Sequence, residues 1–318
     1  MSVVDWDNVT AITRSKILPK LVDNISKSHI LLNRMLRNPI KADGGKRIEK
    51  VIRYALSTQG GWYSGLDTLD TARETTRTRA YWEWRQAHQP IVISNIDIAK
   101  NGGTSKVLGL VAEEMADAEV SLRDKFSTAL FGAQTGKRME GLVDAVDDGT
   151  NVATYGNINR STYSWWQGYY NGSGGALALA TMRTAWDAVA SGSDTPTVIP
   201  TTEAMFSAYE ALLQANARYE FTTKGYPLAD GAFKSLMFRG APVVSDEYCT
   251  SGYMYFLNEK YLDFITLKHP KHATDKMGFT MSPMKEPTNQ DGQIGQILWY
   301  GNFINTQPRR SGVVRGLS

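Results

Sequence analysis

The sequence contains a single cysteine, Cys249, and only four histidines in 318 residues. One thiol excludes any intrachain disulfide, and such cysteine usage fits a reducing compartment. No run of apolar residues approaches the ~20 needed to cross a bilayer. The opening MSVVDWDNVT has neither a basic start nor an apolar core, so no secretion signal is expected. A formal charge of +3 is too small to argue for strong nucleic-acid binding. There is no internal repeat, no low-complexity tract and no G-x-S-x-G nucleophile elbow. Residues 132–138 (GAQTGKR) fall one residue short of a phosphate-binding P-loop, lack its Ser/Thr, and follow an expected helix instead of a strand. One further absence is local, since no lysine occurs between Lys50 and Lys100.

What is present reads as a soluble globular chain, 42% hydrophobic and 21% charged, long enough for a sizeable core. The most informative stretch is 44–131. Residues 73–88 (RETTRTRAYWEWRQAH) alternate with period two. Arg77, Arg79, Tyr81, Glu83 and Arg85 share one face of a strand, and Thr76, Thr78, Ala80, Trp82 and Trp84 share the other. The outgoing limb, 47–56, sets Ile48, Ile52 and Tyr54 against Arg47, Glu49 and Arg53. Between the limbs, Gly60, Gly61, Trp62, Tyr63, Ser64 and Gly65 form a glycine-rich turn with aromatics at its tip. A ten-residue strand spans roughly 33 Å, so this hairpin can extend beyond a compact body. An isolated two-stranded hairpin is marginal in water, and two faces so rich in Arg and Trp leave little for a private core. A neighbouring subunit resolves both difficulties, because Trp, Tyr and Arg are the side chains interfaces favour. Trp62, Tyr63, Arg77, Arg79, Trp82, Trp84 and Arg85 are therefore the expected intersubunit contacts.

A long helix over 105–131 is expected next, with Thr104 or Ser105 as its cap and Gly132 at its end. Leu108, Val111, Met115, Ala118, Leu122, Phe126 and Ala129 fall on one stripe at spacings of three and four. Glu113, Glu114 and Asp117 read as a solvated acidic face, since no His or Cys stands at ligand spacing beside them. The pattern also predicts a helical arm over 8–37, broken or kinked at Pro19, and a strand over 90–99 leading into the long helix. After a loop-rich 132–175, helices are expected at 176–190 and 202–216. Strands are expected at 197–200, 241–244, 253–258, 262–267 and 294–304. This mixture, without regular βαβ alternation, argues for the α+β class. Trp165, Trp166, Tyr169 and Tyr170 read as core or subunit contacts in preference to a stacking platform for sugars or bases. His269 and His272 read as a surface loop in preference to a metal site, leaving a metal-dependent hydrolase as a remote alternative. Arg309, Arg310 and Arg315 fit phosphate contact, solvation and subunit contact equally.

Over 195–265 the chain resembles a known family. Thr195, Pro196, Thr197, Val198 and Ile199 followed by a helix look like the proline–strand–helix unit of tailed-phage major capsid proteins. Residues 233–244 (FKSLMFRGAPVV) resemble that family's Leu-x-Gly-x-Pro-Val strand, and 253–264 (YMYFLNEKYLDF) its next strand. The order of arm, extended hairpin, strand and long helix is similar to the family's N-arm, E-loop and spine helix. The resemblance, to the Hong Kong 97-like capsid fold also used by encapsulin compartments, covers nearly the whole chain.

The resemblance implies an N-terminal arm at 1–43, an E-loop at 44–89, a peripheral-domain strand and spine helix at 90–133, an axial domain at 134–252, and returning peripheral strands at 253–318. It implies a non-enzymatic subunit without cofactor or metal, forming hexamers and pentamers of an icosahedral head around double-stranded DNA, touched weakly and without sequence preference. Expected partners are a portal, a decoration protein and a separate scaffolding protein, because the arm begins within the first ten residues. The expected locations are the virion and, during assembly, the host cytoplasm. An encapsulin-type shell is the alternative. Some family members cross-link through a hairpin lysine; the gap between Lys50 and Lys100 implies a non-covalent shell here.

Overall fold

The computed structural model describes residues 29–37, 39–100, 104–214, 236–269 and 278–318. Helix α1 (Ile30–Leu36) precedes strands β1 (Ile40–Ala42), β2 (Ile48–Arg53), β3 (Arg77–Trp82) and β4 (Arg85–Ser94). A short helix α2 (Asn95–Lys100) leads to the long helix α3 (Thr104–Phe131) and then to α4 (Leu142–Ala145). Next come β5 (Thr154–Tyr155), β6 (Ile158–Asn159), β7 (Tyr169–Asn171), α5 (Leu179–Val189), β8 (Ile199–Thr201) and α6 (Glu203–Gln214). The remaining strands are β9 (Leu236–Phe238), β10 (Ala241–Ser245), β11 (Met254–Phe256), β12 (Leu262–Leu267), β13 (Phe279–Met281), β14 (Gly292–Asn305) and β15 (Gly312–Val314). The class is α+β, as the sequence pattern implies.

Two sheets organise two cores. In the first, β14 is central: β4 pairs antiparallel along one side, β12 and β13 pair antiparallel along the other, and β1 extends the sheet parallel to β12. The apolar stripe of α3 lies on this sheet, with Ala118, Leu122, Phe126 and Ala129 buried. Phe126 is the keystone, with its ring edge-on to Trp299 at 4.7 Å and to Phe279 at 5.6 Å. Offset and edge-on ring packing of this kind adds to the gain from burial alone. Glu113 and Asp117 are exposed on the opposite face of the helix. The second sheet runs β7-β15-β11-β8-β10-β9. Helices α5 and α6 cover it with Met182, Trp186, Val189 and Tyr209 against Phe238, Val243, Phe256 and Val314.

Several expectations shift. The return limb is two strands, not one. β3 pairs with β2 and β4 pairs with β14, and the chain changes sheets at Glu83–Trp84. Asn302 holds that step open by donating its side-chain amide to the Glu83 carbonyl at 3.0 Å. The strand expected over 90–99 stops at Ser94, and Asn95–Lys100 is helical. Asn95 bonds Asp291 through backbone and side chain, which turns the chain out of the ladder. Segment 253–318 is shared between the sheets: β12, β13 and β14 join the first, whereas β11 and β15 join the second with β8 and β10. Of the predicted arm, Ile30–Leu36 is helical and packs Leu31, Leu32, Met35 and Leu36 into the core. Pro19 and the arm up to residue 28 lie outside the described residues, as do Phe233, Lys234, Ser235 and His272.

Candidate functional site

The hairpin strands β2 and β3 pair antiparallel from Ile48–Trp82 to Arg53–Arg77. Burial follows the period-two alternation, with Ala80 and Trp82 inside and Arg77 and Arg79 outside. Beyond Arg53 the ladder stops, and residues 54–76 continue without strand pairing. This distal segment is tied across its neck. Tyr54 donates its backbone N–H to the Thr76 carbonyl at 3.1 Å, and Glu74 accepts from the Thr58 N–H at 2.7 Å and from Gln59 at 3.1 Å. The bonds from the Thr58 hydroxyl and backbone, then from Gln59, hold the Glu74 carboxyl down at about 2. A turn at Ser64–Asp67 forms the tip. Leu56, Trp62, Tyr63, Leu66 and Leu69 are all more than half exposed around it, Trp62 and Leu66 completely so.

The base of the hairpin is bolted to the body. Trp82, 3% exposed, meets Tyr155 edge-on at 5.6 Å, and the Tyr81 N–H donates to the Gly156 carbonyl at 3.1 Å. Gly156 is required twice over: its φ is +56°, and a Cβ there meets the Trp82 ring at 2.7 Å. Lys50 reaches Asp263 on β12 at 3.1 Å, tying β2 to the first sheet. Farther out, Tyr54 stacks on Trp165 at 5.3 Å.

Beneath this junction lies a buried polar knot. The Arg160 guanidinium is fully buried, donates to the carbonyls of Asp144 at 2.7 Å and Val152 at 3.1 Å, and lies 3.9 Å from Asp147. Burial alone would raise the Asp147 carboxyl, but bonds from the Asn151 side chain and from the N–H groups of Val152, Gly149 and Asn151 hold it below its ordinary value. Burial pushes Asp144 upward. Burial, reinforced by Asp144, also pushes the Glu140 carboxyl up to about 7, against the opposing pull of Arg85 and Arg160. A carboxyl raised in this way binds its proton more tightly in the folded chain than in the unfolded one. Its cost to stability therefore grows as pH rises from about 4.5 to about 7. Glu140→Gln is expected to be the more stable protein at pH 8, by on the order of 2 kcal/mol, and to lose that advantage near pH 5. Urea melts at both values test this, and an equal gap at the two pH values rules it out.

The structure divides the residues that the sequence singles out. Trp62 and Tyr63 sit on the exposed tip, and Arg77 and Arg79 on the outer face of β3, where Arg79 makes only a loose pair with Glu49 at 3.8 Å. Trp82 is a correction: it is core of its own subunit, because Gly156 opens a slot for its ring. Trp84 and Arg85 are also committed internally, donating to the carbonyls of Gly45 at 2.9 Å and Gly136 at 3.2 Å. Leu56, Leu66 and Leu69 were missed, although leucines in the polar run 66–71 (LDTLDT) are themselves a signal. Arg315 is not free for phosphate. It is 8% exposed, with its guanidinium between the rings of Tyr170 at 4.8 Å and Tyr253 at 4.9 Å. Trp166 is core, donating to the Tyr155 carbonyl at 2.8 Å. His269 rests on Tyr300 at 5.6 Å. Among the described residues, no group of three His, Cys, Asp or Glu could hold a metal ion, and no helix is long and apolar enough to cross a membrane.

No family model and no curated protein matches the sequence. Solved structures do match, end to end. A capsid subunit of cyanophage A-1(L) superposes with a TM-score of 0.66 at 20% identity, covering 97% of this chain and 98% of that one. A subunit of a native GTA particle capsid gives 0.63 at 11% identity, covering 95% and 96%. The holo-SrpI encapsulin of Synechococcus elongatus gives 0.61 at 10% identity, covering 100% and 97%. The arrangement of two sheets, long helix and projecting hairpin is the fold of tailed-phage capsid subunits, shared with an encapsulin shell.

Proposed function

We propose that this chain is the major capsid protein of a tailed phage, assembling into an icosahedral head around double-stranded DNA. The observation that carries the reading is a whole-length likeness to shell subunits in a chain whose hairpin tip is left exposed by the described residues. In this reading 44–89 is the E-loop, α3 is the spine helix, the first sheet is the peripheral domain and the second the axial domain. The tip clasps an adjacent copy, and quasi-symmetric repetition of that contact closes hexamers and pentamers. Its partners in this reading are a scaffolding protein, a portal and a decoration protein. With no lysine between Lys50 and Lys100, the clasp is non-covalent, and boiled SDS samples should show monomer without a ladder of multimers.

Negative-stain microscopy of the purified chain, alone and with a co-expressed scaffolding protein, tests the reading. Closed particles are expected, and their absence under both conditions would overturn it. Trp62→Ser with Leu66→Ser is expected to leave a folded subunit that assembles only at concentrations raised about 100-fold or more. Each lost apolar contact is worth about 1.5–3 kcal/mol. Unchanged assembly would remove the clasp. The encapsulin reading is supported by the likeness to that shell; particles purified from the native source separate the two, holding nuclease-protected DNA in one case and a protein cargo in the other.

A further inference from the structure

A second surface lies where the hairpin leaves the body. Val51–Tyr54, Trp165, Tyr261, Thr306, Gln307, Arg309 and Arg310 line a cleft of about 390 Å³, within the size range of small-molecule sites. Three guanidinium groups line it, from Arg53, Arg309 and Arg310; the nearest carboxylate, Asp194, accepts from the Tyr261 hydroxyl at 2.6 Å and faces Arg310 alone of the three. Arg53 and Arg309 are exposed and have no hydrogen-bond or ion-pair partner among the described residues. Arg310 gives one bond to the Val189 carbonyl at 3.4 Å, and its Nε is buried without a partner. Arg53 also stands directly opposite Arg77 in the β2–β3 ladder, a like-charge pair that is unfavourable unless an anion bridges it. The cleft wall carries the stacked rings of Tyr54 and Trp165, with Tyr163 tilted against Trp165 at 5.7 Å. The Gln307 carboxamide, on the same wall, is uncommitted among the described residues.

Two guanidinium groups without an anionic partner among the described residues, a wall of aromatic rings and a free amide are the three elements that recognise a nucleotide: phosphate, ring and ring edge. We propose that this cleft binds a phosphate ester carrying a planar ring, as a free nucleotide or as one unit of a single strand of nucleic acid. The site is independent of the capsid reading, since it requires neither assembly nor packaged DNA.

Isothermal titration calorimetry of the full-length chain with AMP and with a ten-residue oligothymidylate tests the proposal and separates the two sources. AMP binding that the decamer does not improve assigns a free nucleotide. A decamer much tighter than AMP, with log K falling by roughly 2 per decade of salt for three phosphate contacts, assigns a strand. Arg53→Ala with Arg309→Ala, both at exposed positions, is expected to weaken either ligand about tenfold or more. Trp165→Leu is expected to weaken AMP while leaving inorganic phosphate unaffected. The proposal is overturned if neither ligand binds, if the double variant binds as the wild type does, or if inorganic phosphate competes as well as AMP. Displacement by polyglutamate at equal concentration would also overturn it, assigning the cleft to an acidic protein segment instead.

Discussion

Trp82→Ala is expected to lower the unfolding free energy of the subunit by about 3–5 kcal/mol, the range for removing a large aromatic side chain from a packed core. The indole is 3% exposed, faces Tyr155 at 5.6 Å and fills the slot left by Gly156. Collapse into the vacated space is restrained, because Tyr155 is itself held between Trp82 and Trp166 and receives the Asn305 N–H at 2.8 Å. Trp82→Phe should cost far less, since it keeps most of the packing and removes an indole N–H that has no partner. By contrast, Arg77→Ala with Arg79→Ala should leave subunit stability within about 0.5 kcal/mol while weakening assembly. Urea unfolding of unassembled subunits supplies the first set of values and light scattering the second. A Trp82→Ala loss below 1 kcal/mol would show that the hairpin base is not part of the core. Equal assembly of the double arginine variant would show that the outer face of β3 meets no neighbour.

Arg160→Met is expected to cost a comparable amount, about 3–5 kcal/mol, although it nearly preserves volume. The loss follows from removing one partner of a buried charged group and leaving the others uncompensated. The carbonyls of Asp144 and Val152 lose a donor, and Asp147 loses its nearest cation. Asp147 keeps four bonds from Gly149, Asn151 and Val152, so the 147–152 loop should hold its shape while the turn at Arg160 loosens. Pairing Arg160→Met with Asp147→Asn should recover part of the loss, because the stranded charge is then absent. A double variant no better than the single one would place the cost in the carbonyls alone. A single variant within 1 kcal/mol of wild type would mean that water replaces the guanidinium.

Much of the architecture is legible in the residues because it rests on local periodicity. The alternation in 73–88 places Arg77 and Arg79 outside and Ala80 and Trp82 inside, and the stripe from Val111 to Ala129 marks the buried face of α3. Strand 262–267 is recovered to the residue. Boundaries fail where a distant group ends an element: Asn302 at the β3–β4 step, and Asp291 at the turn into α2. The same limit applies to site residues. Trp62 and Trp82 are the same side chain in one hairpin, yet one is fully exposed and the other is core.

The difference is made by Gly156, more than 70 residues along the chain, whose missing Cβ admits one indole and not the other. Arg309 and Arg315 separate in the same way, since only Arg315 meets Tyr170 and Tyr253. The sequence by itself determined which faces exist and the order in which they occur: the hairpin, the long helix and the mixed strands after it. Only the tertiary structure decided what each face meets. That left an apolar tip uncovered and three arginines around an aromatic cleft, because contact depends on chain closure over long separations and periodicity does not encode it.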